Sequence, residues 1–246
     1  MLYCHIQSGY SKLADRTQMR LSAYNFVKLI HRVPTLKKVA GILRGTLWID
    51  HVRAHEILFK EKNIKSMIEF GMGDGTESFL KQLDKVASVE IFTKDVALAE
   101  KLKVADDSWA IKCKERFKGS KNWELIMYEM KQPVIDAELD VTGVGGLVKR
   151  GGNPRAGAYK IELSALLDQL GLDKYNYAFV DAGIHLRGDI VNLLFQRVPI
   201  IGAHDWDDKA IYGYTRINKP ANYDEEEGVG SHAGIHFWIK QGMETQ

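Results

Sequence analysis

The chain alternates between short apolar runs and segments of helical periodicity, and this pattern predicts an α/β fold. Five runs have the length and composition of buried strands. They are Ser66–Phe70, Val86–Thr93, Trp123–Tyr128, Tyr175–Asp181 and Val198–Trp206. Helical periodicity lies between or beside them at Thr76–Val86, Val96–Leu102, Trp109–Phe117 and Leu186–Gln196. Strands joined in this way by helices are typical of a parallel sheet covered on both faces.

The two ends of the chain depart from this alternation. Residues 8–62 predict mainly helix, including one over Trp48–Lys60. Near the other end, Ile211–Ile217 and Gly234–Lys240 predict a terminal hairpin, with the acidic residues 224–228 as its loop. We therefore predict an N-terminal helical extension over residues 1–61, followed by one α/β domain over residues 62–246.

The predicted core consists of apolar residues from these strands. They are Ile68, Phe70, Val89, Ile91, Leu125, Met127, Phe179, Val180, Ile200, Ile201, Phe237 and Ile239.

The composition narrows the function classes. A net charge of +2 gives no electrostatic argument for nucleic acid or an anionic membrane as partner. The two cysteines form neither a disulfide framework nor a metal knuckle. No apolar run approaches the roughly 20 residues that span a bilayer, and the N-terminus has no hydrophobic signal core. These features predict a cytoplasmic protein with no membrane partner.

A glycine-rich turn follows the first predicted strand. Gly71, Gly73 and Gly75 stand at alternate positions, two residues after Glu69. Glycine lets the backbone turn sharply and lets a ligand approach the amide groups closely. The spacing of these glycines differs from the dinucleotide-binding pattern G-x-G-x-x-G. The alternative interpretation is an ordinary strand-to-helix turn of an α/β domain.

Glu90 in the second strand lies 19 residues beyond Gly71. At about this spacing, an acid at the end of the second strand reaches the hydroxyls of a ribose. A carboxylate suits that task because it accepts two hydrogen bonds. The alternative is an acid exposed to water.

Together these residues resemble the nucleotide-binding turn of class I S-adenosylmethionine (SAM) dependent methyltransferases. The resemblance implies a Rossmann-like seven-stranded sheet whose last strand is antiparallel, and SAM rather than a nicotinamide as cofactor. It also implies cofactor-binding roles. Glu90 would hold the ribose, Glu69 would orient the turn, and the turn and the end of the third strand would line the rest, through Gly71, Gly73, Asp74, Gly75, Tyr128 and Glu129.

A second polar cluster follows the fourth and fifth strands. Asp181 ends one, and His204 and Asp205 end the other, so all three should meet at the same edge of the sheet as the glycine turn. Two carboxylates and an imidazole suit a divalent cation. His185, four residues past Asp181, is the first candidate for a general base, and His204 is the other. The alternative is that no metal binds here, and that Asp181 and Asp205 accept hydrogen bonds from loop amides and shape the cleft.

This second cluster resembles the metal-dependent O-methyltransferases, including the cephalosporin-hydroxylase-like and sugar-methylating members. Asp181 and Asp205 match acids that hold the metal there, whereas His204 stands where those families have an acid or a neighbouring residue. The resemblance implies methyl transfer to a hydroxyl of a small acceptor, assisted by Mg²⁺ or Mn²⁺. Asp181 would then act in catalysis as well as in metal binding.

The acceptor is expected to be polar, such as a glycan or a nucleotide sugar. Trp206 could stack on a sugar ring, or lie in the core beneath the fifth strand. Arg187 could meet a phosphate, together with Lys149, Arg150 and Arg155 of the glycine-rich segment 142–157, or these could be surface residues. Two rival hypotheses are a nucleic-acid ribose 2′-O-methyltransferase, which the small basic patch disfavours, and a non-catalytic SAM-binding module.

Overall fold

A computed structural model describes residues 52–96, 107–130, 160–183, 186–206, 209, 212–228 and 234–242 of the 246-residue chain. Most of the predicted N-terminal extension lies outside these residues, as do the glycine-rich segment 142–157 and nearly all of the predicted helix Val96–Leu102. The division of the chain at residue 61 therefore stays a prediction.

Seven strands form one mixed sheet. They are β1 (Ser66–Phe70), β2 (Lys85–Phe92), β3 (Trp123–Glu129), β4 (Tyr177–Val180), β5 (Ile200–Ala203), β6 (Tyr223–Glu227) and β7 (His236–Lys240). Their order across the sheet is β3-β2-β1-β4-β5-β7-β6. The first five strands are parallel, and β7 inserts antiparallel between β5 and β6. The predicted parallel sheet with an antiparallel last strand is confirmed.

The predicted terminal hairpin was wrong in its first strand. Residues Tyr214–Arg216 form a 3-10 helix, and the acidic segment predicted as a loop forms most of β6. Only Tyr223 of this strand is buried, while its four acidic residues are exposed. Since β6 is an edge strand, its charged side chains can point to water, and they also discourage pairing with another sheet.

Helices cover both faces of the sheet. They are α1 (residues 52–61), α2 (Gly75–Gln82), α3 (Ser108–Phe117), α4 (Lys160–Gln169) and α5 (Arg187–Leu194). Leucines of α4 and the buried side of α5 form one core with Ile68 and Phe70 of β1. On the opposite face, α1 and α2 pack on Met67 and Phe179. Successive strand residues point to opposite faces, so β1, β2, β4, β5 and β7 each supply both cores.

His55 ties helix α1 to the sheet. Its imidazole is fully buried, lies 2.9 Å from the Tyr177 hydroxyl, and is surrounded by the rings of Phe79, Phe179 and Phe237. A buried polar ring needs such a hydrogen bond, since an unpaired one would lose its solvation without compensation. The helix expected over Trp48–Lys60 thus exists in its described part.

Ten of the twelve predicted core residues are buried. The exceptions are Leu125, which is partly exposed, and Met127, which is 38% exposed. Both lie on β3, which has a neighbour on one side only, so its outer surface is less covered. Within the described part of the chain, no helix has the length and hydrophobicity that crossing a bilayer requires.

Candidate functional site

The glycine turn lies where the order of the strands reverses. Strand β1 pairs with β2 on one side and β4 on the other, so the turn after β1 meets the segment after β4. The Asp181 amide donates to the Phe70 carbonyl at 2.7 Å, and the Gly71 amide donates to the Val89 carbonyl at 2.9 Å. In open α/β sheets, ligands bind at the carboxyl ends of the strands beside this reversal.

Gly71 must be glycine for two reasons. Its φ is +86°, a backbone conformation that side chains disfavour. A Cβ at this position would also collide with the backbone of Asp181 and Ala182. This tight contact brings Asp181 beside the turn. The predicted cofactor-binding residues and the second polar cluster are therefore adjacent.

Glu69 is the centre of a buried hydrogen-bond chain beneath the turn. Its Oε1 accepts from the Thr76 hydroxyl at 2.8 Å and from the Ser88 hydroxyl at 2.5 Å. Thr76 accepts in turn from the Gly73 amide at 3.1 Å, and Ser88 accepts from the Trp123 indole at 2.8 Å. This chain fixes the turn relative to three strands, which is the geometry that a turn-orienting residue needs.

Two carboxyl groups at this edge have perturbed acidities. Burial raises the pKa of Glu69 to about 8, against the effect of its two hydrogen bonds. Burial also raises the pKa of Glu90 to about 7, although the Met72 amide donates to its Oε2 at 3.4 Å. Asp181 adds to both pKa shifts because like charges disfavour ionisation. Glu90 thus lies beside the turn as the sequence predicts.

The raised pKa of Glu69 predicts a specific pH dependence of stability. A carboxyl whose pKa is higher in the folded state stabilises the fold below its unfolded pKa, and this contribution is lost as the pH rises towards 8. We expect Glu69→Gln to remove a slope of about 1.4 kcal/mol per pH unit between roughly pH 5 and 8. Gln keeps the oxygen that accepts from Thr76 and Ser88. Urea unfolding at several pH values measures the slope.

Glu90→Gln is the matched control. Its effect on the pH dependence of the unfolding free energy should end near pH 7, where the pKa of Glu90 lies, rather than near pH 8. Parallel stability curves for Glu69→Gln and the wild-type protein would show that Glu69 titrates normally.

The remaining predicted cofactor residues differ in how they face the turn. A Cβ on Gly73 would meet no atom within 4 Å, so the space beside this residue is open. Gly75 begins helix α2 and is buried. Asp74 instead turns outward to an ion pair with Arg116. At the end of β3, the Tyr128 hydroxyl donates to Glu162 of α4, and Glu129 is partly exposed.

The second polar cluster assembles as expected from its positions. His204 Nδ1 lies 3.1 Å from Asp181 Oδ1 and 3.6 Å from Asp205 Oδ2. One ligand atom from each residue falls within 4.8 Å of the others. Asp205 has a φ of +57°, which aspartate tolerates better than most residues. His185 lies outside the described residues.

Arg187 enters this cluster from the first turn of helix α5. Its guanidinium is 2.7 Å from Asp181 Oδ1 and 2.9 Å from Asp205 Oδ2. Its Nε donates to the Ala182 carbonyl at 2.8 Å, and the group lies over the Tyr212 ring. A phosphate was one candidate partner for Arg187, but both terminal nitrogens of its guanidinium meet carboxylates within the protein.

The charges of the cluster favour protonation of the imidazole. Burial alone would lower the pKa of His204, but the hydrogen bond to Asp181 and the charges of Asp181 and Asp205 raise it overall. Burial would likewise lower the pKa of Arg187, and the same two carboxylates raise it overall. A basic imidazole held by a carboxylate is suited to accept a proton.

The donor set can be compared with the requirements of a divalent cation. Two carboxylates and an imidazole are suitable ligands, and their spacing is compatible with one ion. However, the oxygens that face His204, Asp181 Oδ1 and Asp205 Oδ2, are the ones paired with Arg187. In this arrangement a cation would have to share or displace these ion pairs.

Trp206 does not offer a free face to a sugar. Its indole stacks on His236 at 4.1 Å with an interplanar angle of 14°, and the Lys209 ammonium lies over the same ring at 4.1 Å. Trp238 contacts it edge-on. Of the two interpretations of Trp206, packing is the one that these contacts favour. The basic residues Lys149, Arg150 and Arg155 lie outside the described residues.

Sequence reasoning missed several residues that shape the site. Thr76 and Ser88 hold Glu69, the Trp109 indole donates to the Met72 carbonyl at 2.7 Å, and Tyr214 donates to the His204 carbonyl at 2.5 Å. A signal existed for the structural role of Arg187. It shares the buried helix stripe with Ile190, Val191 and Leu194, at the i, i+3, i+4, i+7 spacing.

Comparison with known proteins finds similar solved structures at low identity. No family model matches the chain, and no curated protein matches it. Among solved structures, it is similar to the O-methyltransferase TomG of Streptomyces achromogenes in complex with SAM, with 11% identity, a TM-score of 0.45, and 78% of this chain and 79% of that chain covered. A proposed caffeoyl-CoA O-methyltransferase from Staphylococcus aureus has 11% identity and a TM-score of 0.48, with 93% and 99% covered.

An O-methyltransferase from Bacillus cereus in complex with S-adenosylhomocysteine (SAH) has 13% identity, a TM-score of 0.44, and 75% and 78% of the two chains covered. Similarities at such low identities and TM-scores do not indicate the activity of this chain. The feature that identifies the fold is the strand order, in which β7 lies antiparallel between β5 and β6. The chain has the class I methyltransferase fold.

Proposed function

We propose that this protein is a SAM-dependent O-methyltransferase acting on a hydroxyl group of a small polar acceptor. The observation that supports this best is the meeting of three features at one sheet edge. They are the glycine turn with open space at Gly73, the buried Glu90 beside it, and the Asp181–His204 pair next to the turn. A binding module alone would not need a basic imidazole at that position.

In this proposal the turn and Glu90 bind the cofactor. Glu69 holds the turn through Thr76, so that the amides after Gly71 keep a fixed direction. Glu90 is expected to exchange its contact with the Met72 amide for the ribose hydroxyls, because an ionised carboxylate accepts a diol well. Tyr128 and Glu129 are proposed to border the adenine side.

Bound SAM supplies an electrophilic methyl group, so the protein mainly has to orient the acceptor and remove its proton. We assign His204 as the general base, with Asp181 holding its Nδ1. SAM held there would supply its methyl group to the acceptor oxygen, and the electrons of the broken carbon–sulfur bond would remain on sulfur. The hydroxyl proton passes to the imidazole, and the products are a methyl ether and SAH.

Divalent cation assistance is the second candidate for this deprotonation. The donor atoms of Asp181, His204 and Asp205 within 4.8 Å favour it. Mg²⁺ or Mn²⁺ held there would lower the pKa of the acceptor hydroxyl. The ion pairs of Arg187 stand against it.

The acceptor class that we propose is a glycan or nucleotide sugar. Its support is the polarity of the groups around the cleft, Asp181, His204 and Asp205, since the Trp206 indole is taken up by packing. A nucleic-acid ribose remains the rival acceptor. Its binding should fall steeply with salt because phosphate contacts release counterions.

The test combines cofactor binding with methyl transfer. Thermal shift with SAM, SAH, NAD and NADP should give stabilisation by SAM and SAH only, since a ligand that binds the native state raises the melting temperature. A radiolabelled methyl screen across glycosides, nucleotide sugars, catechols and short RNAs then identifies the acceptor. Stabilisation by a nicotinamide alone would contradict the proposal, and SAM binding without any transfer would favour a binding module.

The base assignment predicts that His204→Gln and Asp181→Asn slow turnover about 100-fold or more, with SAM affinity little changed. The matched control is Asp173→Asn, an exposed carboxylate on the 3-10 helix before β4, which should leave turnover unchanged. A His204→Gln variant with unimpaired turnover would assign the base to another group.

A further inference from the structure

Arg187 is a buried cation inside the candidate site. Its side chain is 8% exposed and makes two ion pairs, with Asp181 and with Asp205. The Ala182 carbonyl and the Tyr212 ring complete its surroundings. A buried guanidinium with these partners is costly to move, because its charge would lose the carboxylates that compensate it in a poorly solvated position.

The guanidinium and a metal ion would compete for the same atoms. Asp181 Oδ1 accepts from Arg187 and contacts His204 Nδ1, and Asp205 Oδ2 pairs with Arg187 at 2.9 Å. An ion bound by the three inward-facing donors would use these lone pairs. It would also lie within a few ångströms of the positive charge of Arg187 in a partly buried place, where repulsion is weaker than in a dry interior but stronger than in bulk water.

The two carboxylates of the cluster already have an internal counter-ion without a metal. Two carboxylates carry two negative charges, and the guanidinium cancels one of them. A divalent cation would leave the cluster with excess positive charge. This differs from an open acidic site, in which carboxylates lack an internal counter-ion.

We infer that Arg187 is the resident cation of this site, taking the place that a divalent metal would fill, so that methyl transfer proceeds without metal. The statement about transfer depends on the proposed function, whereas the statement about cation binding does not. Arg187 is a positioning residue. It fixes the carboxylates of Asp181 and Asp205, and through Asp181 it fixes the imidazole of His204.

The experiment measures Mn²⁺ binding by electron paramagnetic resonance, which counts free ions and needs no enzymatic activity. We expect the wild-type protein to bind no Mn²⁺ at this site at micromolar concentrations. Removal of the positive charge in Arg187→Met should strengthen Mn²⁺ binding roughly tenfold or more. Mn²⁺ should then raise the melting temperature of this variant but not that of the wild-type protein.

Two further variants make the result specific. Arg187→Lys keeps the charge and loses the planar fork, so it should still exclude Mn²⁺. Asp181→Asn combined with Arg187→Met removes one ligand and should lose the gained affinity. If Arg187→Met does not fold, the wild-type protein and Arg187→Lys decide, because tight Mn²⁺ binding by either overturns the inference.

The activity measurement separates the two proposals. Transfer that is unchanged after treatment with EDTA supports the inference, and transfer that is lost and then restored by Mn²⁺ overturns it. If no acceptor is methylated at all, the proposed function fails, while the Mn²⁺ titrations still decide whether Arg187 is the resident cation. Unchanged Mn²⁺ affinity in a folded Arg187→Met also overturns the inference.

Discussion

Replacing Gly71 with alanine should destabilise the protein by at least about 2 kcal/mol, because two costs add at this position. The backbone has a φ of +86°, which a Cβ makes unfavourable. The new methyl group would also collide with the backbone of Asp181 and Ala182, where no flexible side chain can move aside. Chemical denaturation measures the loss of unfolding free energy.

The matched control is Gly73→Ala, two residues along the same turn. Its Cβ would meet nothing within 4 Å, so we expect a change of no more than about 0.5 kcal/mol. Equal destabilisation by both substitutions would contradict the packing of the turn against the segment after β4.

Replacing Gly73 with valine should lower SAM affinity about 100-fold while leaving the fold intact. The branched side chain would occupy the open space beside the turn, which the proposed cofactor needs. A 100-fold loss of affinity corresponds to about 3 kcal/mol of binding free energy, which we attribute to the lost space beside the turn and the lost close contact with the backbone. Calorimetric titration with SAM measures the affinity, and the melting temperature of the free variant reports the fold.

Gly119→Val controls for the substitution itself. A Cβ on this glycine would also meet nothing within 4 Å, but Gly119 lies between α3 and β3, at the amino end of that parallel strand, whereas the turn lies at the carboxyl ends. We expect the SAM affinity of this variant to equal that of the wild-type protein. Full SAM binding by Gly73→Val would show that the cofactor does not lie beside the turn.

Local pattern predicted the parallel part of the sheet. Strands β1 to β5 follow apolar runs, and their order along the chain agrees with the expected alternation of strands and helices. These runs are informative because a strand buried on both faces has to be apolar at nearly every position. The edge strands carry a weaker signal. Strand β6 contains four acidic residues, which an edge strand tolerates because their side chains are exposed to water.

The sequence also predicted that Asp181, His204 and Asp205 meet at one edge of the sheet, since parallel strands bring their carboxyl ends together, and these side chains do meet there. It could not give the partners of each group there. Arg187 was a candidate for phosphate binding, yet it pairs with two carboxylates. Trp206 was a candidate for sugar stacking, yet it packs on His236. Such pairings depend on side chains from distant segments, whose directions no local pattern contains.

By itself, then, the sequence determined which segments form the buried strands, where the chain turns with glycine, and which acids end the strands, because burial and backbone sterics act locally. Only the tertiary structure decided the charge of the site. Asp181 and Asp205 are 24 residues apart along the chain, and Arg187 reaches both because helix α5 begins between the ends of β4 and β5. Electrostatic pairing depends on distance in space, and that distance is set by the packing of the helix on the sheet.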